Sequence, residues 1–159
     1  MEFMSVNIRT GTIEEVLTIN SQIPEFDAKL TNEKLSSRLA HTPSLILVAT
    51  MQTRASINDR DNQALVAYKI GYATSGSEFY SWLGGVVPAY RKLGIANQLR
   101  NKQEKWATKN GYRYLRVKSM NRFPAMLQLL IANGYRIEGY EDNGTPDNSK
   151  ILFYKLLCE

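Results

Sequence analysis

The sequence predicts an α/β fold, a mixed central sheet of about six to seven strands flanked by about four helices. Three observations predict it. Apolar residues alternate in some segments and recur at helical spacing in others, giving the order β-α-α-β-β-β-α-β-α-β-β. Between Leu83 and Ala96 a strand runs into a glycine-bearing turn that opens a helix. The length of 159 residues, 43% hydrophobic and 22% charged, suits one domain over 1–159 with a sizeable core.

Val6 to Thr10 reads as the first strand, and Thr12-Ile13-Glu14-Glu15 opens a helix with a hydroxyl cap and acids in its first turn, ending near Ser21. Pro24 breaks the next segment. Leu30 to Ala40 carries a helical stripe at Leu30, Leu35 and Leu39. Ser44 to Met51 is a short apolar strand, Thr53 to Gln63 a polar loop, and Ala64 to Thr74 the return strand of a hairpin. Glu78 to Val87 is the strand that enters the glycine turn. The helix after it keeps Leu93, Ala96, Leu99, Trp106 and Ala107 on one face and stops at Asn110-Gly111. Tyr114 to Met120 is then a strand, parallel to the one before the helix by the right-handed crossover rule. Pro124 suits the first turn of a last helix, whose stripe of Phe123, Met126, Leu127, Leu130 and Ile131 runs to Asn133-Gly134. Arg136 to Glu141 and Ile151 to Leu157 close as a hairpin around Asp142 to Lys150.

The turn is where chemistry is expected. Amides at a helix N-terminus have no intrahelical partner, point outward together and carry the positive end of the helix dipole, so an anion is stabilised there. Gly94 lets a phosphate approach the main chain, Ala96 is the next smallest choice in the first turn, and Arg91 and Lys92 bring cations to the same place. Ten of the 20 Lys and Arg residues lie between Arg91 and Arg122, against the single acid Glu104, within a net charge of +5. That distribution points to an anionic partner.

The spacing Arg91-x-x-Gly94-x-Ala96 resembles the acyl-coenzyme A signature of the GNAT superfamily, the GCN5-related N-acetyltransferases, and the element order is also that of the GNAT fold. Asn121 at the end of the following strand and Gly134-Tyr135 after the next helix are similar to a second pattern of that family. The resemblance is best from about Ile70 to Leu157. It implies a sheet splayed at the cofactor site, with the pantetheine arm of acetyl-coenzyme A between the two parting strands. Gly84 and Gly85 then suit a bulge at the splay. Val86 and Val87 would offer main-chain hydrogen bonds to the pantetheine, the turn with Arg91, Lys92, Leu93, Gly94, Ile95 and Ala96 would wrap the pyrophosphate, and Asn121 would bond the same ligand.

The implied reaction is N-acetyl transfer from acetyl-coenzyme A to a primary amine of a small molecule or peptide, by direct attack in a ternary complex. It needs a held amine, a donor for the oxyanion and a proton for the thiolate. Gly84 would present the N–H that polarises the thioester. Two positions depart from the family. Tyr80 stands where many relatives carry a basic Glu on the strand entering the signature, and Leu130 stands where they often carry an acidic Tyr. Glu78, two residues before Tyr80 and on the same face of a regular strand, is the nearest carboxylate to serve as base. Tyr80 or Tyr135 would replace the missing acid, or water would, a thiolate being a fairly good leaving group. The acceptor pocket is expected from Glu25 and Phe26 with Tyr72 and Trp82, alongside Tyr68 and Tyr80, Glu25 being a candidate for holding an amine.

The two departures also permit a second function, a slow coenzyme A or acyl-coenzyme A sensor of the same fold. A nucleic-acid-binding domain is the third; the basic stretch has no recognised reading motif and no expected aromatic stacking pairs between its charges, which counts against it. No cluster of His, Cys, Asp and Glu has metal-ligand spacing, so no metal is expected. His41, the sole histidine, reads as a helix-end residue, and Cys158 as a terminal bystander. With no apolar run of membrane-spanning length, no signal peptide and a single thiol, the sequence predicts a cytoplasmic protein without a membrane partner. Edge strands of such a fold allow a homodimer.

Overall fold

The first two helix starts follow hydroxyl side chains. The computed structural model describes residues 5–26, 29–52 and 63–157. Thr12 and Glu15 form a reciprocal capping box at the start of α1 (Ile13–Asn20), and Arg9 pairs with the same Glu15 carboxylate at 2.5 Å. That ion pair and the cap hold Glu15 below the usual carboxylate range. Thr31 accepts the Lys34 N–H at 3.1 Å and so starts α2 (Asn32–Leu39) two residues after the expected Leu30, which is left in the preceding loop. Helices α3 (Ile95–Lys109) and α4 (Pro124–Ala132) stop at Asn110-Gly111 and Asn133-Gly134 as the sequence predicts.

Among the described residues seven strands form one sheet, β1 (Val6–Thr10), β2 (Ser44–Gln52), β3 (Gln63–Ala73), β4 (Glu78–Val86), β5 (Tyr114–Met120), β6 (Arg136–Glu141) and β7 (Lys150–Leu156), in the order β1-β2-β3-β4-β5-β7-β6. This is the mixed α/β sheet with four helices that the sequence predicts, with strand ends within a residue of expectation. The polar connection at 53–62 and Cys158 fall outside the described residues. The crossover strands β4 and β5 do pair in parallel, from Glu78↔Tyr114 to Ser81↔Val117, while β4 itself continues to Val86. The terminal hairpin is antiparallel, and β7 lies between β5 and β6. An irregularity between Ile137 and Gly139 leaves Glu138 out of the ladder.

The chain divides into two compact units, Met1–Ile70 with Leu83–Gln103 and Gly71–Trp82 with Glu104–Glu159. The core of the first is built on Val16 and Ile19 of α1, Leu35 of α2, Leu47, Val48 and Ala49 of β2, Val66 and Ala67 of β3, and Ile95 and Leu99 of α3. β2 is apolar along almost its whole length and buried on both faces. Tyr68, 1% exposed, sends its hydroxyl to Asn20 Oδ1 at 2.9 Å, at the end of α1. Burial pushes that phenol above its ordinary pKa. In the second unit Phe79 meets Trp106 and Tyr112 with ring centroids 5.1 and 5.2 Å away, and Leu115, Val117, Leu130 and Phe153 fill the interior.

Candidate functional site

In the first unit, β4 leads through Val87 into a short 3-10 turn at Pro88–Tyr90 and then into α3. Two residues of the connection have left-handed backbones, Lys92 at φ 63° and Gly94 at φ 79°. For lysine that conformation is strained, at roughly 1–2 kcal/mol. Left-handed residues alternating with other conformations turn successive N–H groups towards one side, the arrangement that makes an anion-binding concavity. Gly94 accepts the Gln98 N–H at 3.1 Å and is the residue before the helix, where glycine brings no side chain to cap the amides of its first turn. A Cβ on Gly94 would have nothing within 4 Å, so a side chain there would project into open space above the turn. Ile95, 2% exposed, anchors the helix start in the core, whereas Leu93 is 54% exposed. These residues fit a phosphate-bearing cofactor, with bulk kept out by glycine and the amides left uncapped.

The strand before the turn is specific about which groups remain available. Val87 is 7% exposed, its N–H donates to the Val66 carbonyl at 2.9 Å, and its own carbonyl takes the Tyr90 N–H. The amide of Val87 is thus spent on β3, which corrects the expectation that it would bond a ligand. Successive amides along a strand point to opposite edges, so those of Val86 and Gly84 face away from β3. The Val86 carbonyl accepts Arg91 Nε at 3.1 Å. Gly84 lies over Tyr68 and Lys69, where a Cβ would stand 3.4 Å from the Tyr68 carbonyl oxygen. Gly85 is the close approach: a Cβ there would come within 2.7 Å of the Ile23 and Phe26 side chains, so glycine lets them lie against β4 without having to shift.

That segment brings Glu25 to Arg91. The Arg91 Nη2 and Glu25 Oε2 are 2.6 Å apart, each side chain 41% exposed. Two residues singled out for different ligands, a phosphate and an amine, are therefore paired with each other. Close by in the same unit, Lys69 is half-buried beside Gly84. Burial, and secondarily the charge of Arg100, push its ammonium down to about 8. Sequence reading passed over Lys69, because a lone lysine in a strand carries no signal until its neighbours are known.

In the second unit Tyr72, Tyr80 and Trp82 form one aromatic group. Tyr72 is in the middle, 5.5 Å from Tyr80 and 5.7 Å from Trp82 between centroids, both pairs edge-on. Glu78 is held differently from expectation. Arg116 Nη2 lies 3.0 Å from Glu78 Oε1, the Thr74 hydroxyl donates to Oε2 at 3.3 Å, and Glu138 pairs with the same guanidinium. The Arg116 hydrogen bond, with its charge and Thr74 adding, sets the Glu78 carboxyl below its ordinary pKa. A carboxylate so stabilised is a weak proton acceptor. Arg116 was not a sequence candidate. It reaches Glu78 through the parallel register, in which it stands opposite Tyr80, and Glu138 through the irregularity that takes it out of the β6 ladder.

Asn121 is exposed and donates its side-chain amide to the Pro146 carbonyl at 3.1 Å, a loop-bracing bond. Leu130 and Tyr135 are 2% and 4% exposed, and Lys155 lies over the Tyr135 ring at 5.4 Å. His41 follows α2 as an exposed residue at φ 65°, a helix-end position as read from the sequence. Among the described residues no group of three or more His, Cys, Asp and Glu could hold a metal ion, and no helix is long and apolar enough to cross a membrane.

No protein-family model and no curated protein matches the chain. Solved structures do. A GNAT family acetyltransferase from Elizabethkingia anophelis with acetyl-CoA bound is similar with a TM-score of 0.69 and 17% identity, over 95% of this chain and 97% of that one. The ribosomal-protein-S18-alanine N-acetyltransferase from Escherichia coli is similar with a TM-score of 0.75 and 15% identity, over 98% and 96%. NAA60 of Arabidopsis thaliana in complex with a bisubstrate analogue is similar with a TM-score of 0.76 and 16% identity, over 96% and 99%. The chain has the GNAT fold.

Proposed function

We propose that the chain is an acetyl-coenzyme A-dependent N-acetyltransferase that acylates a primary amine of a small molecule or peptide. The observation that carries this reading is the turn Arg91–Ala96, whose left-handed Lys92 and Gly94 lead uncapped amides into α3. The acetyltransferases of like fold support it, among them one solved with acetyl-CoA and two whose names specify N-acetylation of a protein or a complex with a bisubstrate analogue.

Acetyl-coenzyme A supplies an activated acyl carbon and a thiolate able to leave. The chain's part is positional and electrostatic. Amides of the turn, with Arg91 and Lys92, hold the diphosphate, while the outward-facing groups of Val86 and Gly84 hold the arm and polarise the acyl oxygen. Asn121 adds a polar contact. Glu25 and Phe26 receive the amine. Tyr80 is the hydroxyl that donates a proton to the departing sulfur. With Glu78 tied to Arg116, water relays the amine proton, so the rate is expected to rise with pH until the amine itself is neutral. On this proposal residues 1–159 act as one cytoplasmic catalytic domain, with β6, the last strand in sheet order, open to homodimer pairing.

The Glu78–Arg116 pair and the buried Leu130 favour one second reading, a coenzyme A or acyl-coenzyme A sensor that turns over slowly. Calorimetric binding of acetyl-coenzyme A beside transfer assays over a panel of amines and N-terminal peptides separates the two. Binding with transfer supports the enzyme, binding without transfer supports the sensor, and absence of binding overturns both.

A further inference from the structure

We propose that Glu25 is the resident counter-anion of Arg91, and that the cofactor's phosphates displace it, leaving its carboxylate free to position a cationic acceptor amine. The proposal rests on the reading of the turn as the cofactor site. It goes further by making the two ligands' sites share one ion pair.

Both partners are held in place. The guanidinium is pinned through Nε to the Val86 carbonyl at 3.1 Å, which leaves the Nη end to face Glu25 at 2.6 Å. Glu25 sits in a turn in which the Ile23 N–H reaches the Asn20 carbonyl at 3.1 Å and the Phe26 N–H reaches that of Ile23 at 3.3 Å. The flanking Ile23 and Phe26 are packed where a Cβ of Gly85 would otherwise be, so the carboxylate is fixed relative to the same strand that anchors Arg91. The pair is not an accident of two long chains meeting in solvent.

It is nevertheless exchangeable. With both side chains 41% exposed, water screens the attraction and little is lost when it breaks. A diphosphate seated on the amides between Lys92 and Ala96 carries more charge than one carboxylate and offers the planar guanidinium paired oxygens on the turn to which Arg91 belongs. When Arg91 takes the phosphate, Glu25 keeps its charge and loses its cation. An ammonium-bearing acceptor is then the ligand that restores neutrality. By linkage, an amine that occupies Glu25 must strengthen cofactor binding by the same factor.

Calorimetry with coenzyme A as the probe tests this on the full chain, its Glu25→Gln and Arg91→Ala variants, and the double variant, at low salt. Glu25→Gln is expected to bind coenzyme A about 2- to 5-fold more tightly than wild type, because the displaced pair is gone, and to gain nothing in the Arg91→Ala background. Simple repulsion between Glu25 and the phosphates would give the same gain in both backgrounds, and that result overturns the exchange. So does an unchanged affinity in Glu25→Gln. If wild type and all variants fail to bind coenzyme A, the cofactor site is wrong and the exchange falls with it, an outcome distinct from the other two.

Discussion

The turn Arg91–Ala96 and the strand segment Glu78–Trp82 differ in where their chemistry resides. In the turn it belongs to the main chain: two left-handed residues lead into the start of α3, and glycine and spacing place them there. In the strand segment it belongs to side chains, and these have found partners from far along the sequence, Arg116 for Glu78 and Tyr72 for Tyr80 and Trp82. A main-chain site is announced by glycine and spacing. A side-chain site is decided by register.

Gly94 is where a single substitution acts on the main-chain site most directly. Gly94→Glu puts a carboxylate into the open space above the amides and strains a backbone at φ 79°. It is expected to weaken coenzyme A binding at least about 100-fold by calorimetry, since an anion would then occupy the place of an anion. Thermal unfolding should show only the loss of roughly 1–2 kcal/mol that a left-handed non-glycine residue carries. Retained affinity would mean that the turn is not the anion site.

Lys69, beside Gly84, sharpens the contrast, because it is a side chain in the main-chain region with no carboxylate partner among the described residues. Its folded pKa of about 8 is below the ordinary lysine value. Below pH 8 both states are protonated and the burial penalty is felt in full. As pH rises towards the unfolded value the folded state sheds its proton first, so stability rises through that window. Wild type should gain about 1–3 kcal/mol relative to Lys69→Met between pH 8 and 10.5 in denaturant titrations. Parallel curves for the two proteins would show Lys69 to be solvated.

This contrast also accounts for what could be read from the sequence. Element order, the helix stops at Asn110-Gly111 and Asn133-Gly134, and the parallel β4–β5 crossover follow from periodicity, glycine and handedness, all local or generic. The start of α2 at Asn32 was missed because Leu30 fits the apolar stripe, yet the Thr31 hydroxyl decides the cap. Within the site, Gly94 and Arg91 were legible from spacing. The pairing of Arg91 with Glu25 was not, since it needs the segment after α1 to lie on Gly85. Val87 shows the same limit, its amide being taken by Val66 of a neighbouring strand.

Glu78 tests the side-chain half. Were it the base, Glu78→Gln would lower kcat by orders of magnitude and remove the acid limb of the rate profile; held by Arg116, it should change kcat less than about threefold. Stability is expected to fall by under about 1 kcal/mol at neutral pH, as for a part-exposed ion pair. Its folded pKa is lowered, so that contribution is present above the ordinary carboxylate range and is lost as pH falls through the folded value. Wild type and variant should therefore converge in acid.

At Lys92 one residue combines a main-chain and a side-chain role. Its φ of 63° is what orients the turn's amides, and its ammonium adds charge beside them. Lys92→Gly removes the charge and relieves the strain, whereas Lys92→Ala removes the same charge and keeps the strain. The two variants should lose coenzyme A affinity alike, by about 2- to 5-fold, while differing in stability by roughly 1 kcal/mol in favour of glycine. If alanine binds markedly worse than glycine, the left-handed geometry and not the charge is what limits binding. That would draw the boundary between the two kinds of site inside a single residue.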